Sequence, residues 1–195
     1  MKKLAVLFPG IRYSPECPLL YFAGKECQQA GYEILPLYYS FHQNAELDKD
    51  LSLQQFVEDT KEYVKSQLSG AFAEEYQEVV FVSKSIGTVL AGYAEQEFSI
   101  EPKQFLMTPI PETLEFMEKM GKERAAAVLG TEDKNISFEE LQEFCKKQGI
   151  PLSLYQGVGH RLEAADLRDT LDMIEDIMKQ LRKFLNAGKT ECSPK

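Results

Sequence analysis

Val79-Val80-Phe81-Val82-Ser83-Lys84-Ser85-Ile86-Gly87-Thr88-Val89-Leu90-Ala91-Gly92-Tyr93-Ala94 decides how the chain is read. Four apolar residues run into a turn of small residues, and a helix-compatible segment follows at once. A serine at such a corner is lifted out of a sheet and presented at the mouth of a helix. The corner is sharp and strained, so the positions two before and two after the serine must be small. Here they are Ser83 and Gly87, and Ser85 is the candidate nucleophile. The plain alternative for a serine in front of a helix is an N-cap.

Working outward, the same pattern recurs. Leu4 to Phe8 is a continuous apolar run, as in a strand buried on both faces. Pro9-Gly10-Ile11-Arg12-Tyr13 is a loop, and residues 18–30 read as a helix closed by Gly31. Tyr32 to Tyr39 reads as a second strand, whose Pro36 argues against a central position because proline cannot donate to the ladder. Phe41 to Lys49 is polar and irregular. Leu53, Phe56, Val57, Thr60, Tyr63, Val64 and Leu68 then form one stripe of an amphipathic helix. Further strands are expected at Glu78–Val82, Lys103–Thr108, Ala125–Gly130 and Leu152–Tyr155. The helices between and after them are expected at Ile86–Phe98, Glu112–Met120, from the Ser137–Glu140 capping box to Gly149, and Ala164–Leu185. The last carries Leu167, Leu171, Ile174, Met178, Leu181 and Leu185 on one side.

Alternating strands and helices with short connections predict an α/β fold. It is expected as a three-layer α/β/α sandwich with a mainly parallel sheet of roughly six strands. A single domain is expected over residues 1–188, with a polar tail at 189–195. The length of 195 residues suits one sizeable core. The net charge of -9 argues against a nucleic-acid groove or an anionic membrane surface as partner, since both need clustered cations. Cys17, Cys27, Cys145 and Cys192 form no CxxC pair, so neither a metal site nor a cofactor is indicated. The apolar run after Lys2-Lys3 is too short for a signal peptide and ends at Pro9-Gly10, and no segment is long enough to span a bilayer. A cytoplasmic protein with reduced thiols is the expectation. The Asn135-Ile136-Ser137 sequon is then a coincidence.

In an open parallel sheet, ligands bind outside the carboxyl ends of the strands. Gly10-Ile11, Ser85, Asp133 and His160 each follow a predicted strand. A serine, an acid and a histidine at one sheet edge are what acyl transfer requires. Glu132 is adjacent to Asp133 and is the alternative acid; Asp133 is preferred. Asp166 and Glu163 read as helix-start charges. Lys84 reads as solvent-facing, and without a Ser-x-x-Lys pair a serine–lysine mechanism has no support. Arg12 is read as solvated or in a structural ion pair, although it stands where it could meet an acidic substrate group. His42 is a surface candidate. Tyr13, Tyr38 and Tyr39 are buried or cleft-lining.

At these residues the sequence resembles the α/β-hydrolase superfamily, in particular its small capless serine hydrolases of the dienelactone hydrolase and esterase type. The elbow small-x-Ser-x-small appears as Ser83-Lys84-Ser85-Ile86-Gly87, the acid loop as Gly130-Thr131-Glu132-Asp133, and the histidine as Gly159-His160, in the order serine, acid, histidine. The resemblance implies that Ser85 attacks a carbonyl carbon, His160 carries the proton, and Asp133 orients the imidazole. It implies an oxyanion hole formed by the backbone N–H groups of Ile11 and Ile86. It also implies a hydrolase acting on a carboxylic ester or thioester of a small-molecule substrate, with activity rising with pH as His160 becomes neutral. The sequence departs from the pattern in Ser83, where glycine is commoner, and in Pro9-Gly10, where many relatives have His-Gly. The 48 residues from Ser85 to Asp133 leave no room for a cap domain. A non-catalytic ligand- or protein-binding domain of the same fold is the alternative. A flavodoxin-like nucleotide binder lacks its GxGxxG or phosphate loop after the first strand. A homodimer is compatible with the sequence, which marks no interface.

Overall fold

The computed structural model describes residues 2–39 and 53–187. Phe41–Lys49, His42, Cys192 and the 189–195 tail lie outside the described residues. Six strands form one sheet: β1 (Lys3–Phe8), β2 (Glu33–Pro36), β3 (Glu78–Lys84), β4 (Lys103–Met107), β5 (Ala125–Gly130) and β6 (Leu152–Tyr155). All neighbours are parallel, in the order β2-β1-β3-β4-β5-β6. The chain steps outward from β1 to β2, then crosses back past β1 to β3. The order therefore reverses between β1 and β3, and a crevice opens there at the carboxyl ends.

Continuous apolar strands follow from cover on both faces. Val6, Phe8, Phe81, Leu106, Ala127 and Leu129 point into one core with α2 (Leu53–Ala71), α3 (Ile86–Phe98), α4 (Leu114–Met117) and α6 (Phe138–Gln148). Ala5, Leu7, Val80, Val82, Phe105, Met107 and Val128 point into the other, with α1 (Pro18–Gln29) and α7 (Leu167–Asn186). This is the expected α/β sandwich, with an all-parallel sheet.

Several boundaries differ from expectation for identifiable reasons. β2 spans four residues rather than eight, ending at Pro36 on the sheet's edge, where a missing N–H costs no ladder bond. The helix expected at Glu112–Met120 breaks into a 3-10 turn (Pro111–Thr113) and α4, and α5 (Gly121–Arg124) follows as another short turn of helix. Gly121 takes a positive φ of 62° there. α7 starts at Leu167 because Asp166 caps it, accepting the N–H of Arg168 at 2.7 Å. Leu167 and Leu171, expected on its buried stripe, are 72% and 52% exposed, so the apolar face begins at Met173. The Ser137 cap forms as expected, its Oγ accepting the Glu140 N–H at 3.0 Å.

Candidate active site

Ser85 occupies the corner between β3 and α3 with φ 55° and ψ −128°. Non-glycine residues rarely adopt positive φ, and the surroundings hold this one there. Its N–H donates to the Met107 carbonyl at 3.0 Å, and its carbonyl accepts from Thr88 Oγ1 at 2.6 Å. Gly87 is required by crowding: a Cβ there would sit 2.4 Å from the Phe8 carbonyl oxygen and 2.5 Å from that of Pro9. Gly10 is also close to the corner, where a Cβ would come 3.2 Å from Ser85 Cβ. The loop after β1 is thus pressed against the corner. Ser83 is accommodated with no exposure, although its Oγ finds no hydrogen-bond partner among the described residues.

The acid and histidine loops are zipped together. Thr131 N–H donates to the Tyr155 carbonyl and Glu132 N–H to the Val158 carbonyl, each at 2.9 Å. A Cβ on Gly130 would lie 2.2 Å from the Val158 oxygen, so only glycine permits that approach. Asp133 is buried, and its Oδ1 accepts the Asn135 N–H at 2.9 Å. His160 Nδ1 lies 2.7 Å from Asp133 Oδ2, and His160 Nε2 lies 2.8 Å from Ser85 Oγ. A carboxylate only accepts, so Nδ1 carries the hydrogen and Nε2 presents its lone pair to the serine hydroxyl. Of the two acids weighed, Asp133 is the one bonded to His160. Asp166 caps α7, and Glu163 pairs with Arg161 at 2.8 Å.

Ile11 and Ile86 both line a cleft of about 290 Å³ beside Ser85, together with Leu53, Ile110, Glu112 and Asn135. Ile86 is the first residue of α3, so its N–H has no acceptor within the helix and lies at the positive end of the helix dipole. A neighbouring cleft of about 330 Å³ shares Leu53 and Glu112 with the first and is lined by Val57, Val89 and Tyr93, with Glu58 and Glu115.

Lys84 corrects the sequence reading. It is 2% exposed, not solvent-facing. Its Nζ donates to Thr108 Oγ1 and to the His160 carbonyl, each at 2.8 Å, and lies 5.0 Å from the Tyr13 ring centroid. The signal was available. Val80, Val82 and Lys84 share one side of β3, and a strand covered on both faces offers its last residue no water. Tyr13 and Tyr39 are buried, Tyr38 is half exposed, and Arg12 is exposed.

No protein-family model and no curated protein sequence matches this chain. Solved structures do match it in fold. Est1E from Butyrivibrio proteoclasticus, solved with ferulic acid bound, superposes with a TM-score of 0.67 at 13% identity, over 94% of this chain and 88% of its own. An α/β serine hydrolase homologue from Coxiella burnetii gives 0.59 at 11% identity, over 93% and 84%. XC6422 from Xanthomonas campestris, an α/β serine hydrolase without a lid, gives 0.57 at 14% identity, over 98% and 84%. The chain has the α/β-hydrolase fold, and these structural neighbours include serine hydrolases. Among the described residues, no helix is long and apolar enough to cross a membrane, and no cluster of three His, Cys, Asp or Glu side chains suits a metal.

Proposed function

We propose that the protein is a serine hydrolase that cleaves a carboxylic ester or thioester of a small substrate through Ser85, His160 and Asp133. The observation that carries this reading is the single imidazole bonded on one side to Ser85 Oγ at 2.8 Å and on the other to Asp133 at 2.7 Å. An N-cap serine needs neither partner, and Ser85 makes no side-chain cap bond.

In this reading Ser85 Oγ attacks the carbonyl carbon while His160 Nε2 takes the hydroxyl proton. Asp133 stabilises the imidazolium without taking the proton. The oxyanion is met by the N–H groups of Ile11 and Ile86, two residues that line the cleft with Ser85. Collapse of the tetrahedral species expels the alcohol or thiol, which receives the proton from His160 and leaves an acyl group on Ser85. A water, deprotonated by the same nitrogen, releases the acid and restores the serine. No cofactor or metal enters these steps. The clefts of about 290 and 330 Å³ suit a small, largely uncharged acyl or aryl group. Free Cys17, Cys27 and Cys145 fit a reducing compartment such as the cytoplasm.

The test uses a fluorophosphonate probe and short p-nitrophenyl esters and thioesters. The native chain is expected to be labelled and to turn over, and Ser85→Ala is expected to lose both. Labelling that persists in Ser85→Ala, or a native chain inert to every ester while remaining folded, overturns the reading.

A further inference from the structure

We propose that Lys84 is a positioning residue for His160: its buried ammonium ties the histidine's main chain to β3 and supplies the charge that keeps the imidazole beside Asp133 in its neutral, proton-accepting form. The kinetic consequence rests on the hydrolase reading; the effect on the imidazole does not.

The first part is geometric. His160 reaches the site on a loop after β6, at the edge of the sheet opposite β2 and three strands from β3, which carries Ser85. Lys84 Nζ bridges that span at 2.8 Å to the His160 carbonyl, while its second bond, to Thr108 Oγ1, anchors it at the end of β4. Thr108 is itself fixed, with no exposure and its N–H on the Val128 carbonyl at 2.8 Å. The residue next to the serine therefore holds the residue that activates it.

The second part concerns charge. A buried ammonium is costly, and an apolar side chain is the ordinary occupant of a core-facing strand end. Among the described residues Lys84 forms no direct ion pair, so pairing does not offset its burial. Burial pushes its pKa down to about 8, opposed first by Asp133, with Arg161 adding to the fall and Glu163 and Cys17 resisting it. Tyr13, on its other side, is held neutral by burial, which raises its pKa to about 12. At neutral pH the group is thus a cation that interacts favourably with the Asp133 carboxylate. A carboxylate alone favours protonation of the histidine it touches, and a nearby cation opposes it. In the proposal Asp133 orients the imidazole and Lys84 supplies the opposing charge.

The experiment reads the imidazole directly. His160 and His42 are the two histidines of the sequence, so a His42→Asn background leaves one ring signal for an NMR pH titration. Lys84→Met removes both bond and charge, whereas Lys84→Gln keeps a donor without the charge. In both variants the His160 titration midpoint is expected to rise by about one pH unit, the order of shift a nearby charge produces. The acid limb of kcat against pH should move with it. At neutral pH, kcat should fall about tenfold or more in Lys84→Met with KM little changed, and Lys84→Gln should recover the part due to the bond. Midpoints that coincide in native and variant proteins overturn the proposal, as does failure of both variants to fold, which would make Lys84 purely structural. A shifted midpoint in a protein that hydrolyses nothing would sustain the proposal for the imidazole and sink the hydrolase reading alone.

Discussion

Asp133 Oδ2 stands 2.7 Å from His160 Nδ1, and the aspartate side chain that makes this bond is fully shielded from solvent. Its other oxygen is taken by the Asn135 N–H, so the carboxylate cannot rotate without losing a bond. Asp133→Asn keeps the shape and removes the charge, and it presents an amide donor or the wrong acceptor to Nδ1. A fall in kcat of about 10⁴ is expected, with an unchanged melting curve. Glu132, whose side chain is exposed, serves as the control: Glu132→Gln should stay within about twofold of native, because a solvated charge is screened. Equal losses in both variants would refute the assignment of the acid.

Gly87 sits where no side chain fits. Gly87→Ala places a methyl 2.4 Å from the Phe8 carbonyl oxygen, against backbone that cannot swing aside. The expected cost is about 1–3 kcal/mol in urea denaturation. Activity should fall further than stability, because the displaced β1 loop carries the Ile11 N–H. A Gly87→Ala protein as stable and active as native would show the corner to be looser than these distances imply.

Stability should respond to alkaline pH through Lys84. Its folded pKa is lowered to about 8 from the ordinary 10.5, so between these values the unfolded chain binds more protons than the folded one. Stability contributed by this group therefore rises with pH across that window, and the full penalty applies below it. Relative to Lys84→Met, the native chain should gain up to about 3 kcal/mol between about pH 8 and about pH 10. Urea titrations at several pH values measure the difference, and one that stays flat or falls with pH contradicts the burial of a charged lysine.

The clefts beside Ser85 carry acidic rims. Glu112 borders both, and Glu58 and Glu115 border the second. Esters with a carboxylate on the acyl group should react more slowly than neutral ones of equal size. Glu112→Lys should narrow that gap by about fivefold in kcat/KM, as befits an exposed charge worth about 1 kcal/mol. An unchanged preference in Glu112→Lys would place the acyl group elsewhere.

The placement of Ser85, Asp133 and His160 was legible because each follows an apolar run, and parallel topology sends every such run to the same edge. The small residues around them marked close approaches, as Gly87 and Gly130 bear out in distance. Lys84 was misread because a charged residue beside a turn is ordinarily solvated, although its alternation with Val80 and Val82 on β3 pointed inward. Its burial depended on partners distant in sequence, the Thr108 hydroxyl, the His160 carbonyl and the Tyr13 ring. Leu167 and Leu171 misled for the converse reason. They match the helical period of α7, but nothing among the described residues covers its first turn, and its buried face begins at Met173. The end of β2 at Pro36 and the break of the segment after Pro111 also turned on local backbone constraints that periodicity does not register.

The α1–α7 face has a consequence for synthesis. Much of the core on that side comes from residues after Met173, and Arg182 of α7 pairs with Glu26 of α1. A ribosome therefore releases the serine corner long before it releases the histidine, and the early half of the chain waits with Leu19, Leu20 and Ala23 uncovered. A nascent chain stalled before residue 160 would display the serine without the imidazole that bonds it. Any probe that reacts with Ser85 through an activated hydroxyl thus also reports that translation has passed the last strand and the sheet has closed.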